Sequence, residues 1–186
     1  LLSVSSWAQN GATIVFPNRP PELLELLDRG WQMELRQRWG EALSHYEDAL
    51  RLFPEDRSLQ RRFAVARAHY DLARRYADES FRRSVEQFSA AQALDLYAQV
   101  LLKIQTHYVD SIEWKALVDW GTANLEIALG APVFLQRNVP DARRGAIDGF
   151  RAELRRTMAG LAVANRADAR QAAAVAAQLA QEQLAI

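Results

Sequence analysis

The sequence predicts an all-α protein of about eight helices, in which antiparallel helical hairpins pack onto a helical bundle. Apolar residues recur every three or four positions along most of the 186-residue chain, and this spacing places them on one face of a helix. Gly (8) and Pro (6) are few, and strand-type alternation of apolar and polar residues is hard to find. Ala, Leu, Arg, Glu and Gln dominate, as is typical of helical proteins.

Prolines and glycines divide this pattern into separate helices. Pro20 and Pro21 favour a helix start, because proline is tolerated in the first helical turn. Gly40 is expected to break the pattern, and Pro54 to stop the helix before it. The predicted helices span about residues 20–38, 41–53, 56–76, 79–88, 94–108, 111–129, 140–164 and 168 onward.

Two of these helix starts are predicted from capping residues. A helix ending near Tyr108-Val109-Asp110 is followed by Ser111, which is expected to cap the next helix. Asp168 is expected to cap the next helix by accepting from the amide three residues on, and Gln171 is placed to bond back to the cap residue.

One helical hairpin resembles a tetratricopeptide repeat, a 34-residue unit of two helices. If Pro54 is aligned with the terminal proline of that repeat, Gly30 falls on the small position of its first helix. Ala42, Tyr46 and Ala49 then fall on the alanine, aromatic and alanine positions of its second helix. Glycine and alanine allow the helices to approach closely, and Tyr46 fills the gap above them.

The repeat departs from the pattern at two positions and does not continue. Leu26 stands where tryptophan is usual, and Arg29 where leucine is usual. A second unit begins in register with Phe63 and Ala64 but fails at Tyr76. Because repeats stack to share a core, the later helices are expected to supply the missing packing surface.

The resemblance also implies a shallow groove that could bind a peptide tail or an acidic terminus. In the tetratricopeptide frame Arg61 and Arg62 lie on the groove face together with Leu27, Trp31 and Val65. The alternative is that these arginines, like the other Arg-Arg pairs, belong to solvated helix faces with local salt bridges.

A second resemblance covers about residues 90–137. The stretch LDLYAQVLLKIQTHYVDSIEWKALVDWGTANLEIAL, residues 94–129, is similar to the helical leader of C-terminal-processing peptidases, which are exported proteases with a PDZ domain and a Ser/Lys pair. Such leaders contribute to dimer contacts and to the placement of the PDZ domain. The family's catalytic residues belong to its protease core, so no catalytic residue is assigned here, and Ser111 and Lys115 are not candidates.

Composition excludes several kinds of site. The formal net charge is zero, so no bulk basic field draws in nucleic acid or an anionic membrane. The absence of cysteine removes disulfides, thiol catalysis and thiolate metal sites. His45, His69 and His107 lie on different predicted helices and form no zinc pattern. No metal or cofactor is therefore expected, and no apolar run approaches the roughly 20 residues of a spanning helix.

We expect three regions: a signal-peptide remnant or flexible arm over residues 1–19, tetratricopeptide-like hairpins over 20–88, and a helical leader or bundle over 89–186 that shares a core with the hairpins. The start, LLSVSSWA, is similar to the end of a secretory signal, although a disordered tail is the alternative. These features predict an exported protein of the periplasm or cell envelope.

Two functions are compatible with this sequence. The first is a non-catalytic N-terminal scaffold of an exported C-terminal-processing-like serine peptidase, used for assembly and substrate delivery. The second is a free-standing tetratricopeptide-type adaptor that binds a partner protein or peptide. Both imply protein partners, and a homo-oligomer is expected because assemblies of identical chains are common.

Overall fold

The computed structural model describes residues 19–107, 111–140 and 144–185. Helices without any strand make up the secondary structure of these ranges, so the predicted all-α fold is confirmed. In chain order the helices are α1 (Pro21–Leu35), α2 (Trp39–Leu52), α3 (Arg57–Ala77), α4 (Glu79–Gln87), α5 (Ala90–His107), α6 (Trp114–Ala128), α7 (Pro132–Asn138), α8 (Arg144–Gly160) and α9 (Arg166–Leu184). The expected signal remnant and the break at residues 108–110 lie outside the described residues.

The turn between α1 and α2 differs from the prediction. Gly40 lies inside α2 and does not break the helix. Instead α1 ends at Leu35, and Gln37 adopts a left-handed backbone conformation with φ of 56°. The Gln37 amide donates to the Glu34 carbonyl at 2.8 Å and the Arg38 amide to the Met33 carbonyl at 3.0 Å. This is the Schellman arrangement, which satisfies the last carbonyls of a helix and ends it.

Two predicted caps are also corrected. Ser111 does not cap α6, whose N-cap residue is Glu113 and which has no side-chain cap. The cap of α9 is Asn165, whose side chain accepts from the Asp168 amide at 3.0 Å. Asp168 lies within the first turn, and its carboxylate accepts from the Ala164 amide at 2.9 Å. Asn165 thus accepts from an amide of the first helical turn, and Asp168 accepts from an amide just before the helix, as in a capping box.

The segment after α6 contains one helix more than the sequence predicts. Pro132 occupies the first turn of α7, where a backbone N–H would have no partner within the helix, so proline is tolerated there. The helix predicted over residues 140–164 is α8, which ends at Gly160.

The chain divides into two compact units, Leu1–Ala66 (unit 1) and Arg67–Ile186 (unit 2). The division falls within α3, before the boundary at residue 88 that we expect from the sequence. Unit 1 has its own apolar core, formed where α1 packs against α2 and extended by Leu59 and Ala66 of α3. Arg19, the last residue of the expected arm, donates to the Ser58 hydroxyl at 2.8 Å.

Unit 2 is built around α9, which packs against α5, α6 and α8. Ala169 and Ala172 of α9 are buried, and their small side chains allow close approach of the neighbouring helices. The largest fully buried side chains of this core are Phe150 and Leu154 of α8, Leu101 of α5, and Leu129, which follows α6. None of the helices in the described ranges is long and apolar enough to cross a membrane.

Candidate functional site

A buried carboxylate lies at the centre of unit 1. Glu34 of α1 is only 6% exposed, and its two oxygens have different partners. Oε1 accepts from the Tyr46 hydroxyl of α2 at 2.6 Å, and Oε2 accepts from Nη1 of Arg62 of α3 at 2.9 Å. Since a buried carboxylate is costly unless it is paired and hydrogen-bonded, this network links the three helices of unit 1 in one arrangement.

Tyr46 is held in this network by a close approach of α1 and α2. It is fully buried, and a methyl group added at Gly30 would overlap its ring. Ala42 and Ala49, one turn on either side of Tyr46, are also buried. Burial and the hydrogen bond to Glu34 raise the pKa of Tyr46, so the neutral hydroxyl remains a donor to the carboxylate.

The structure brings together two residues of the predicted groove. The guanidinium carbon of Arg62 lies over the Trp31 ring, 4.3 Å from its centroid, within the range of a cation–π contact. Leu27 packs against the unit 1 core, Val65 is half-buried, and Arg61 is exposed. Arg62 is therefore engaged by Glu34 and Trp31, and Arg61 presents the exposed charge of the predicted pair.

Sequence reasoning missed Glu34, the residue that joins this network. The position could have been found from its spacing, because Glu34 follows Leu27 by seven residues and Gly30 by four, on the helix face that points into the core. His45, in contrast, has a structural role, since its Nε2 lies 2.7 Å from the Leu26 carbonyl. A carbonyl only accepts, so this nitrogen carries the proton.

A cleft of about 440 Å³ opens in unit 2 between the end of α3, α4 and α7. Its apolar wall contains the ring of Tyr76, which packs edge-on against Phe81 at a centroid distance of 5.9 Å and against Phe134 at 6.1 Å. Val85 of α4 also lines the cleft and is 44% exposed. These contacts form one aromatic cluster from three helices.

The amide of Asn138 fixes the hydrogen bonding at one end of the cleft. Its Nδ2 donates to the Phe134 carbonyl at 2.8 Å and to the Tyr76 hydroxyl at 2.8 Å. Because a carbonyl cannot donate, the atom facing Phe134 must be the amide nitrogen, and the Tyr76 oxygen must therefore act as acceptor. The Tyr76 hydroxyl can therefore donate its own proton to another acceptor.

Arg82 lines the same cleft and differs from its charged neighbours. Its Nε is buried and has no hydrogen-bond partner among the described residues, a situation that costs about 1–3 kcal/mol for a buried donor. Arg137, across the cleft, pairs with Glu86 at 3.5 Å. Arg83, the next residue of α4, pairs with Glu79.

Large exposed apolar side chains are concentrated in one part of the chain. Seven lie between residues 70 and 120 in the described ranges: Tyr70, Val85, Phe88, Leu96, Val100, Leu102 and Trp120. Trp120 of α6 is the most exposed of them, at 66%. The alanine-rich face of α9 is part of the unit 2 core. Trp114 also packs against that core.

Within the described parts of the chain no group of three or more His, Asp or Glu side chains could hold a metal ion. In comparisons with known proteins, no family model, curated protein or solved structure matches this chain. The resemblance of residues 90–137 to a peptidase leader therefore stays a prediction.

Proposed function

We propose that this chain is a non-catalytic scaffold that works through protein–protein contacts, the first of them with a second copy of itself. The observation that carries the proposal is the 66% exposure of Trp120. Tryptophan is enriched among the few residues that dominate the binding energy of interfaces, and burying such a ring removes about 150–250 Å² from water.

The surface beside Trp120 suits an isologous contact. Ala116 and Ala123 are exposed on the same face of α6, and these small residues leave room for a flat indole ring. We call Ala116, Trp120 and Ala123 the Trp120 face. In a two-fold dimer the same patch supplies the ring and receives it.

Charge does not oppose such pairing. The formal net charge of the chain is zero, so two copies experience no long-range repulsion. Beside the Trp120 face, Lys115 pairs with Asp119 within α6. This pair presents both signs of charge at the edge of the contact, as polar interface rims do.

More specifically, we propose that the scaffold is the N-terminal part of an exported C-terminal-processing-like serine peptidase and serves assembly and substrate delivery. Support comes from α5 and α6, because these two helices carry most of the stretch that resembles the leader, and Trp120 lies within it. The coding sequence beyond Ile186 tests this form. A following PDZ and protease region supports it, whereas a stop codon there favours a free-standing adaptor. Export is tested by locating the protein in fractionated cells of its host.

The second candidate function, a tetratricopeptide-type adaptor, is favoured by the contact of Gly30 with Tyr46 and by the exposed Arg61 beside the Trp31–Arg62 pair. It predicts that an acidic peptide changes the intrinsic tryptophan fluorescence of the chain in a saturable way, and that Trp31→Phe removes this change. Replacing Arg61 with Glu should abolish the signal, while the same change at the exposed Arg57 should not.

Sedimentation velocity over a wide range of protein concentrations tests the main proposal. We expect the parent chain to sediment as a dimer that dissociates on dilution. Trp120→Ser should weaken dimerisation about tenfold or more, because loss of an interface hot spot costs about 2 kcal/mol or more. Leu52→Ser is the matched control, since Leu52 is 60% exposed in unit 1, and it should dimerise like the parent. A parent chain that stays monomeric throughout contradicts the proposal.

A further inference from the structure

The cleft between α3, α4 and α7 combines unused donors with an apolar wall. Tyr76 retains its hydroxyl proton, because its oxygen accepts from Asn138. The Arg82 Nε lacks a partner among the described residues. Both side chains line the cleft. We infer that this cleft binds a monoanionic carboxylate that carries an apolar group, with Arg82 and Tyr76 as the donors to the carboxylate.

The guanidinium geometry selects a planar, two-oxygen acceptor. A carboxylate takes an arginine through two parallel N–H···O bonds. The Arg82 Nε is buried away from the open cleft, so both of these bonds come from the terminal guanidinium nitrogens. The Tyr76 hydroxyl supplies a third hydrogen bond from a different helix. Three donors on two helices fix the orientation of the carboxylate as well as its charge.

The charge of the cleft favours a single negative charge over two. Two arginines, Arg82 and Arg137, and one glutamate, Glu86, line it, and the carboxylate of Asp78 at the start of α4 interacts with Arg82. Arg137 is already paired with Glu86 at 3.5 Å. A dianion such as a phosphate monoester would leave its second charge unpaired and close to the Glu86 carboxylate.

The apolar part of the ligand is accommodated by Phe81 and Val85 of α4, which line the cleft beside Tyr76. A volume of about 440 Å³ falls within the range of small-molecule sites, about 300–1,000 Å³. Two sources supply such a ligand: a free carboxylic acid of small size, or the C-terminal end of a peptide with an apolar last residue. This site is independent of the self-association proposed for α6.

Isothermal titration of the full chain tests the inference with two pairs of probes. The first pair is N-acetyl-phenylalanine and its methylamide, and the second is a hexapeptide ending in phenylalanine with a free or amidated carboxyl group. Each acid should bind at least about tenfold more tightly than its amide, since hydrogen bonds to a charged group contribute about tenfold or more. If N-acetyl-phenylalanine binds, a small free carboxylic acid is sufficient as the ligand. If only the peptide acid binds, the ligand is the C-terminal end of a peptide.

Three variants locate the site. Arg82→Gln should weaken binding of the acid about tenfold or more, and Tyr76→Phe should weaken it by a smaller factor. Arg83→Gln is the matched control, because Arg83 lies next on α4 and pairs with Glu79, and it should bind like the parent. Circular dichroism and thermal unfolding check that each variant folds. Equal binding of acid and amide, no binding of any probe, or a folded Arg82→Gln that binds like the parent overturns the inference.

Discussion

At the scale of single residues, Gly30 is the position where the packing of unit 1 tolerates least change. Its Cα faces the ring of Tyr46, which is fully buried. Glycine lowers helix stability because it has more conformational freedom to lose on folding. A side chain at position 30 would displace the Tyr46 ring, whereas a Cβ added at Gly121, Gly145, Gly149 or Gly160 would have nothing within 4 Å.

The two kinds of helical glycine predict opposite effects of the same substitution. Gly30→Ala should destabilise the chain by roughly 1–3 kcal/mol through overpacking. Gly149→Ala, in the interior of α8 with nothing within 4 Å of the added Cβ, should stabilise it by about 0.5–1 kcal/mol. Urea unfolding followed by circular dichroism measures both changes. If Gly30→Ala is as stable as the parent, the described contact with Tyr46 is wrong.

Glu34 and Tyr46 should behave as one energetic unit. Glu34→Ala leaves the buried Tyr46 hydroxyl without its 2.6 Å partner, which costs about 1–3 kcal/mol for an unsatisfied buried group. In the Tyr46→Phe background this hydroxyl is absent, so the same change should cost less. A double-mutant cycle should give a coupling free energy of about 0.5–3 kcal/mol. Additive effects of the two substitutions would show that the bond contributes nothing to stability.

At the scale of helices, the hydrophobic spacing predicted most elements but not their ends. α3 was predicted over 56–76 and is Arg57–Ala77, because apolar periodicity is continuous there. The end of α1 could not be predicted, since Gln37 adopts a left-handed conformation that glycine or asparagine usually supplies. α7 was missed because seven residues are too few to show a period of 3.6.

The start of α9 gives a test of capping. Asn165→Ala removes the acceptor of the Asp168 amide and should cost about 0.5–2 kcal/mol of stability. From the sequence, Gln171 was expected to pair with a cap at Asp168. Because Gln171 is exposed, Gln171→Ala should change the free energy of unfolding by less than about 0.5 kcal/mol. Thermal unfolding compares the two variants. A larger effect at Gln171 would restore Asp168 as the cap.

The candidate sites were only partly predictable from the sequence. Trp31 and Arg62 fell on one face in the repeat frame, and that frame depends on local spacing. Glu34 and the Tyr76–Asn138 contact depend on side chains from separate helices, 12 to 62 residues apart. The spacing of Glu34 shows that it lies on the inward face of α1, but a single sequence does not show which distant residue such a side chain contacts.

At the scale of the whole molecule, the chain has two compact units, each with its own apolar core. The large exposed apolar side chains of the described ranges lie mainly in α3 to α6, and those beyond Ala66 belong to unit 2. Isolated apolar residues are normal on a protein surface. The central claim is therefore specific to the Trp120 face, which we propose is covered by a second copy of the chain.

Site-directed cross-linking tests this claim most directly, because the chain has no cysteine and a single introduced thiol is unique. Ala123→Cys places a thiol on the Trp120 face, and Ala64→Cys places one on an exposed position of α3. A two-fold contact brings the same face of both copies together, so a short bismaleimide should give a covalent dimer from Ala123→Cys and little from Ala64→Cys. Adding Trp120→Ser should abolish the product. Equal cross-linking at both positions, or none at residue 123, would contradict the account.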